Sequence, residues 1–150
     1  MERMEIAKKF YRQAQKMTLA MVTLVVVYGA MGYYLIRTGR ASSAILNAQI
    51  YPVVKYGALA VSVFGIFAMR QLSCRILSSF PATERPPRKL LGRTILMNAG
   101  AQLSLLLGLA LIFLGRRPYD YIPFAVVSLT GFALAYPKKA QWMNWLGAEF

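Results

Sequence analysis

Polar residues inside apolar runs are the first candidates for chemistry in this sequence. Asn98 and Gln102 lie one helical turn apart in an uncharged run, and Thr23 lies at a similar depth in the first apolar run. An amide group in lipid needs a hydrogen-bond partner, and Thr23 is the expected partner of Gln102. We therefore favour a structural hydrogen bond between helices. The polar lining of a pore or ligand site stays open as the alternative.

A second group of candidates combines tyrosines with charged residues at one end of the apolar runs. Tyrosine is enriched at membrane interfaces, so the group is typical of an aromatic belt in which Asp120 pairs with a neighbouring Lys or Arg. The alternative is a shallow, cationic, aromatic-lined site for an anionic lipid or a quinone-like headgroup. The members of this outer-face group are Tyr33, Tyr34, Tyr51, Lys55, Arg116, Arg117 and Asp120.

Several kinds of chemistry are excluded by residues that the sequence lacks. The 150 residues contain no histidine and a single cysteine, Cys74, which excludes an imidazole base, a histidine-bound metal and an internal disulfide. No Asp or Glu lies in the middle of an apolar run, where proton- or cation-coupled carriers generally place a carboxylate. The sequence therefore predicts a protein with no catalytic residues, no bound metal and no cofactor.

Small residues recur at helical spacing in three of the apolar runs. Gly100, Ser104 and Gly108 are four residues apart and form one stripe, and small residues let membrane helices approach closely. Asn98 lies about 200° around the same helix from Gly100. This helix therefore has two contact faces, which predicts a central position in the fold. The other predicted packing residues are Ala58, Ser62 and Gly65 in the second run and Gly131 and Ala135 in the fourth.

The elements that must position these residues are apolar stretches long enough to cross a bilayer. Hydrophobic residues make up 57% of the chain and charged residues 15%, against about 25% charged in a soluble domain. A bilayer core about 30 Å thick requires about 20 helical residues. We predict spans at about 17–36, 51–69, 94–114 and 119–136. The predicted fold is a single all-α membrane domain over 1–150, a four-span transmembrane helical bundle.

The distribution of basic residues predicts how the spans are oriented. Short loops on the cytoplasmic side of a membrane carry an excess of Lys and Arg. With four spans, thirteen of the 18 basic residues fall on one side and five on the other. Both termini are therefore expected in the cytoplasm, and a bacterial inner membrane fits this bias. The net charge of +13 is explained by orientation, so no nucleic-acid partner is expected.

Both terminal segments are expected to be short amphipathic helices on the cytoplasmic membrane surface. In 1–16, apolar residues recur at helical spacing opposite basic ones, which is typical of an interfacial helix on anionic lipid headgroups. Docking of a partner protein is the alternative. In 137–150, two tryptophans share one helical face, as in an aromatic belt. The predicted membrane anchors are Lys8, Lys9, Arg12, Trp142 and Trp145.

These observations favour a non-catalytic subunit or assembly factor of a larger membrane complex. In this hypothesis the stripe of Gly100, Ser104 and Gly108 docks a helix of a partner protein or of a second copy. The alternative is a small homo-oligomeric transporter or channel for an anionic or neutral solute, in which Asn98 and Gln102 line the path.

Overall fold

The helices account for most of the chain that the structure describes. The computed structural model describes residues 2–39, 47–78, 87–115, 117–140 and 142. No strand occurs within these ranges, and a short 3₁₀ turn precedes the last helix. The helices are α1 Glu2–Arg37, α2 Tyr51–Ser78, α3 Pro87–Gly115 and α4 Tyr121–Ala135, and the turn is Pro118–Asp120.

The helices begin and end at residues that suit those positions. Pro52 and Pro87 lie in the first turns of α2 and α3, where the missing N–H removes no helical hydrogen bond. After α1, Gly39 adopts a φ of 69°, the left-handed conformation that commonly ends a helix. Pro137 follows α4 and prevents its continuation.

Helix α3 lies at the centre of the bundle, as its two predicted contact faces require. It packs against α1, α2 and α4. Ala14 packs near Leu90 at one end, and Gly32 lies against Ile112 at the other, so α1 and α3 run in the same direction. α2 and α4 run in the opposite direction to α3. The chain therefore alternates in direction from one helix to the next.

Three of the described helices are long and apolar enough to cross a membrane: Lys8–Arg37, Tyr51–Arg75 and Arg88–Gly115. This confirms the coarser prediction of an all-helical membrane protein. Helix α4 differs, because its 15 residues rise only about 22 Å, less than the bilayer core of about 30 Å. The turn at Pro118 and the proline at position 137 limit its length. The fourth span stays a prediction.

The N-terminal segment is not a separate helix, so the prediction of a short interfacial helix over 1–16 is not confirmed. Residues 2–16 form one continuous helix with the apolar run that follows, and α1 has 36 residues, about 54 Å by helical rise. Sharp kinks almost always need a proline, a glycine pair or a bulge, and α1 contains no proline or glycine before Gly29. A helix whose later part crosses a membrane cannot also lie flat on its surface.

Residues 10–14 of α1 instead pack against the start of α3 and the C-terminal segment. We call this cluster the end core. Ala14, Leu90 and Trp142 are its buried members, with Phe10 and Tyr11 packed against them. The rings of Tyr11 and Trp142 meet edge to face at 5.6 Å between centroids, a favourable aromatic geometry.

The end core changes the interpretation of the C-terminal tryptophans. Trp142 was expected at the lipid surface, but it is 4% exposed and covered by its own chain. Its backbone N–H donates to the carbonyl of Lys138, which forms one helical turn. Trp145, the second predicted anchor, lies outside the described residues.

Candidate functional site

One carboxylate joins the start of α2 to the turn between α3 and α4. The Tyr51 hydroxyl donates to Asp120 Oδ2 at 2.5 Å, and Lys55 Nζ pairs with Asp120 Oδ1 at 2.6 Å. Tyr51 and Lys55 are four residues apart, so they lie on one side of α2 and reach the same carboxylate. We call Tyr51, Lys55, Asp120 and the neighbouring Arg117 the outer clasp.

The tyrosine of the outer clasp is held tightly by its surroundings. Tyr51 is buried at 4% exposure and packs with Leu111 and Phe124. The guanidinium of Arg117 lies 5.3 Å from its ring centroid, within the range of a cation–π interaction. A side chain at Gly115 would overlap the same ring. Glycine at that position lets α3 approach the Tyr51 ring.

The electrostatics of the outer clasp favour a charged Asp120. Burial raises the pKa of this carboxyl, but hydrogen bonds from Lys55 and Tyr51 and the nearby Arg117 charge outweigh burial, so the pKa lies below its ordinary value of 3.8. Both carboxylate oxygens are already bonded. The group therefore acts as a structural link between helices and is poorly suited to donate or accept a proton at neutral pH.

The other members of the predicted outer-face group do not all reach the clasp. Tyr33 and Tyr34 lie near the end of α1 and are 52% and 56% exposed. Arg116 lies outside the described residues. Within the described chain, the structure brings together Tyr51, Lys55, Arg117 and Asp120.

A second polar contact lies between α1 and α3, and we call it the polar seam. Asn98 Nδ2 donates to Thr18 Oγ1 at 3.1 Å, and Gln102 Nε2 donates to the Tyr28 hydroxyl at 3.3 Å. The predicted link between helices is therefore present, but its partners on α1 differ from the expected one. Thr23 is exposed and donates to the carbonyl of Leu19 in its own helix.

Two acceptor oxygens of the polar seam are left without a hydrogen-bond partner. The single hydroxyl proton of Thr18 is donated to the carbonyl of Ala14, so Thr18 Oγ1 can only accept from Asn98. The oxygens Asn98 Oδ1 and Gln102 Oε1 are both buried without a hydrogen-bond partner. Asn98 itself is fully buried, so its amide contacts protein and does not line an open path.

A third link joins α1 to α4. The hydroxyl of Tyr121 donates to the backbone carbonyl of Val25 at 2.8 Å, and its ring lies against Gly29. Sequence reasoning missed this role of Tyr121. The sequence signal that could have indicated this contact is Gly29, because a glycine on the buried side of α1 leaves room for a large ring such as that of Tyr121.

Most of the predicted small-residue stripes lie in contacts within the chain. A Cβ atom at Gly108 would lie 2.7 Å from Phe124 Cβ, and one at Gly131 would lie 2.9 Å from Ala101 Cβ. Ser104, one turn before Gly108 on α3, is fully buried, and its hydroxyl donates to the carbonyl of Phe124 at 3.2 Å. The stripe on α3 is therefore covered by this chain, which differs from the hypothesis that it docks a partner helix.

The remaining stripe residues divide between buried and open positions. A Cβ at Gly100 would lie 3.0 Å from Met69 Cγ, and Ser62 and Ala135 are buried. Ala58 packs against the cluster around Tyr51. Gly65 is the exception, because a Cβ there would meet nothing within 4 Å.

The arrangement links helices and offers little chemistry for catalysis in the described residues. The clasp holds a carboxylate that is ion-paired with Lys55, the seam holds amides and hydroxyls, and Cys74 is exposed. No group of three or more metal-binding side chains occurs in the part of the chain that the structure describes. No protein-family model, curated protein or solved structure matches this chain.

Proposed function

We propose that this protein is a non-catalytic subunit or assembly factor of a larger membrane complex, and that it docks its partner through the basic face of α1. We also propose that the chain crosses a bacterial inner membrane four times and that both termini lie in the cytoplasm. The observation that carries it is the first part of α1, which continues beyond the apolar run and is fixed in place by the end core.

The geometry of this segment supports docking better than surface anchoring. Its apolar side packs against Leu90 and Trp142, so that side is occupied by the chain itself. The opposite side carries a row of residues at helical spacing, and charged groups on it point away from the bundle. This basic face consists of Glu5, Lys8, Lys9, Arg12, Gln13 and Lys16.

A rigid cationic helix face fits an acidic surface on a partner. Charge complementarity accelerates encounter and fixes orientation. Because the end core already holds the helix, little conformational entropy is lost when a partner binds. Anionic headgroups remain a second ligand for the residues of this face that lie nearest the membrane.

The proposed orientation rests on the basic residues of the described chain. Those at the start of α1, the end of α2, the start of α3 and after α4 lie at one end of the bundle, because the helices alternate in direction. We call this the basic end. The opposite end carries Arg37, Lys55 and Arg117. The rule that basic residues stay in the cytoplasm then puts both termini there.

The proposed fourth span is α4. Its 15 residues contain no charge, and it packs along α3 and also contacts α1 and α2. A helix in this position can be short, since a bilayer adapts to modest mismatch by thinning.

The alternative of a transporter or channel receives less support. It requires Asn98 and Gln102 to face a solute path, whereas Asn98 is fully buried and bonded to Thr18. Lys55, which would attract anions, is paired with Asp120. We therefore keep transport as the second candidate and the subunit as the first.

The test is native purification of the tagged protein from the cells that make it, in mild detergent, followed by identification and quantification of bound proteins. The double variant Lys9→Glu/Arg12→Glu reverses two exposed charges of the basic face, and Arg37→Glu, which reverses one exposed charge at the other end of the bundle, is the control. Eleven basic residues would still lie on the cytoplasmic side against five, so the orientation should persist.

We expect a stoichiometric protein partner with the wild type and the control, and at least tenfold less of it with the double variant. A protein that purifies alone, or a partner retained equally by the double variant, would contradict the proposal. A lone homo-oligomer would favour the transporter, which flux into proteoliposomes would then test against a Gln102→Leu variant.

A further inference from the structure

A cavity of about 450 Å³ opens between the end of α2 and the first two turns of α3. It lies at the basic end, beside the proposed membrane surface. We call it the basic pocket. It is lined by Ser73, Arg88, Lys89, Gly92, Arg93 and Leu96.

The interior of the basic pocket is open and largely apolar. A Cβ atom at Gly92 would meet nothing within 4 Å, so the glycine leaves a free volume on this side of α3. Leu96 lies one helical turn deeper and presents an apolar surface. Ser73 is buried, and its hydroxyl donates to the carbonyl of Arg70 at 2.7 Å. The serine therefore contributes shape and an acceptor oxygen, and its proton is already used.

The rim of the basic pocket is cationic. Arg88, Lys89 and Arg93 project from the first two turns of α3, and Lys89 and Arg93 are one turn apart on the same side. From position 70 to position 93 the sequence holds six basic residues and one acid, Glu84. One carboxylate cannot neutralise six cations, so the region keeps a positive charge whatever pairs form within it. The positive end of the α3 dipole adds to this potential.

A cationic rim above an apolar floor matches one class of ligand. Arginine binds phosphate oxygens through two parallel hydrogen bonds, and lysine binds them as a point charge. Gly92 and Leu96 offer room for a hydrocarbon segment below that level. We propose that the basic pocket binds an anionic phospholipid, with its phosphate at the cationic rim and part of an acyl chain along Gly92 and Leu96.

This inference rests on the proposed membrane placement of the basic end and is independent of the proposed protein partner. The two can fail separately. Loss of the partner with the Lys9→Glu/Arg12→Glu variant concerns α1, whereas lipid retention concerns α2 and α3. Failure of the membrane placement would appear as release of the chain by an alkaline carbonate wash, before any lipid is measured.

The test measures lipid retained by the full chain in nanodiscs made from equal parts of phosphatidylglycerol and phosphatidylcholine, released and analysed by native mass spectrometry. Gly92→Leu fills the pocket without changing charge. Gly57→Leu is its matched control, because a Cβ at Gly57 also meets nothing within 4 Å and the site lies at the other end of α2. Arg93→Gln removes one cation, and Arg37→Gln at the opposite end is the charge-matched control.

We expect the wild type and both controls to retain phosphatidylglycerol over phosphatidylcholine. Gly92→Leu and Arg93→Gln should each lower that retention about tenfold, the effect of losing one charge-assisted contact or the volume that permits it. Equal retention of the two lipids by the wild type, or unchanged retention by Gly92→Leu, would overturn the inference.

Two further measurements keep the outcome decisive. Far-UV circular dichroism and gel filtration show whether Arg93→Gln folds, and Lys89→Gln replaces it if it does not. Inorganic phosphate is added in a separate arm. If millimolar inorganic phosphate displaces the lipid completely, the pocket recognises a free phosphate group and the lipid assignment is wrong.

Discussion

The contact between α3 and α4 at Gly108 yields a prediction whose size can be worked out from the structure. A Cβ atom at this position would lie 2.7 Å from Phe124 Cβ and 3.1 Å from Phe124 Cγ. Ordinary carbon–carbon contacts lie at about 3.5–4.0 Å, so a methyl group at position 108 comes about 1 Å too close. Phe124 is fully buried, and its Cβ is fixed to the backbone of α4. Relief of the strain therefore requires α3 and α4 to move apart.

The expected result of Gly108→Ala is a loss of stability that is best measured against Gly65→Ala. Overpacking of this kind costs about 1–3 kcal/mol. Both substitutions gain the same helix propensity, about 1 kcal/mol, and Gly65 has open space where the new methyl group would go. The propensity gain cancels in the comparison, so we expect Gly108→Ala to be less stable than Gly65→Ala by about 1–3 kcal/mol.

The assay is reversible unfolding of both variants in mixed micelles with increasing sodium dodecyl sulfate, followed by far-UV circular dichroism. Equal unfolding free energies, within about 0.5 kcal/mol, would refute the packing of α4 against Gly108. A Gly108→Ala variant that is more stable than Gly65→Ala would refute it more strongly.

Three other predictions follow from the seam, the clasp and the end core. A double-mutant cycle of Asn98→Leu and Thr18→Val should give a coupling of about 0.6 kcal/mol; zero coupling would mean that the two side chains do not interact. Asp120→Asn should lower stability at neutral pH, because the lowered pKa of the native carboxyl stabilises the fold above its ordinary value of about 4. As pH falls through the native pKa this contribution is lost, so wild type and variant should converge in acid unfolding curves, and a constant gap would contradict this. In a Trp145→Phe background, Trp142 fluorescence should be blue-shifted and poorly quenched by acrylamide, whereas strong quenching would contradict its burial in the end core.

The sequence predicted which helices exist better than it predicted their rotation. Hydropathy located the long helices, and the two faces of α3 predicted its central position. Depth alone suggested Thr23 as the partner on α1, but the buried side of α1 passes through Ala14, Thr18 and Val25. Thr23 lies about 200° around the helix from Val25, so helical phase would have excluded it. Which face of α1 is buried depends on neighbours that local sequence does not reveal.

Helix continuity was open to prediction, whereas the outer clasp was only partly so. Residues 2–16 contain no helix breaker. The thickness of a bilayer was therefore a poor reason to begin the first helix at residue 17. The sequence left Asp120 with three possible cations, and Lys55 is the one that pairs with it. The Tyr51 hydrogen bond depends on how closely α2 approaches the α3–α4 turn, and that distance is set by Gly115.

The short length of α4 has a consequence for the surrounding lipid. In the proposed four-span arrangement, about 22 Å of α4 faces a hydrocarbon layer about 30 Å thick, which leaves a mismatch of about 8 Å. The lipid beside α4 must thin, or water must follow the chain inward, at a cost of fractions of a kcal/mol per Å. The outer clasp lies where α4 begins. Because Asp120 is paired with Lys55, placing its charge beside the thinned hydrocarbon layer costs less free energy than placing a lone carboxylate there. The protein should therefore partition into thin regions of a membrane and reduce the bilayer thickness on one of its sides.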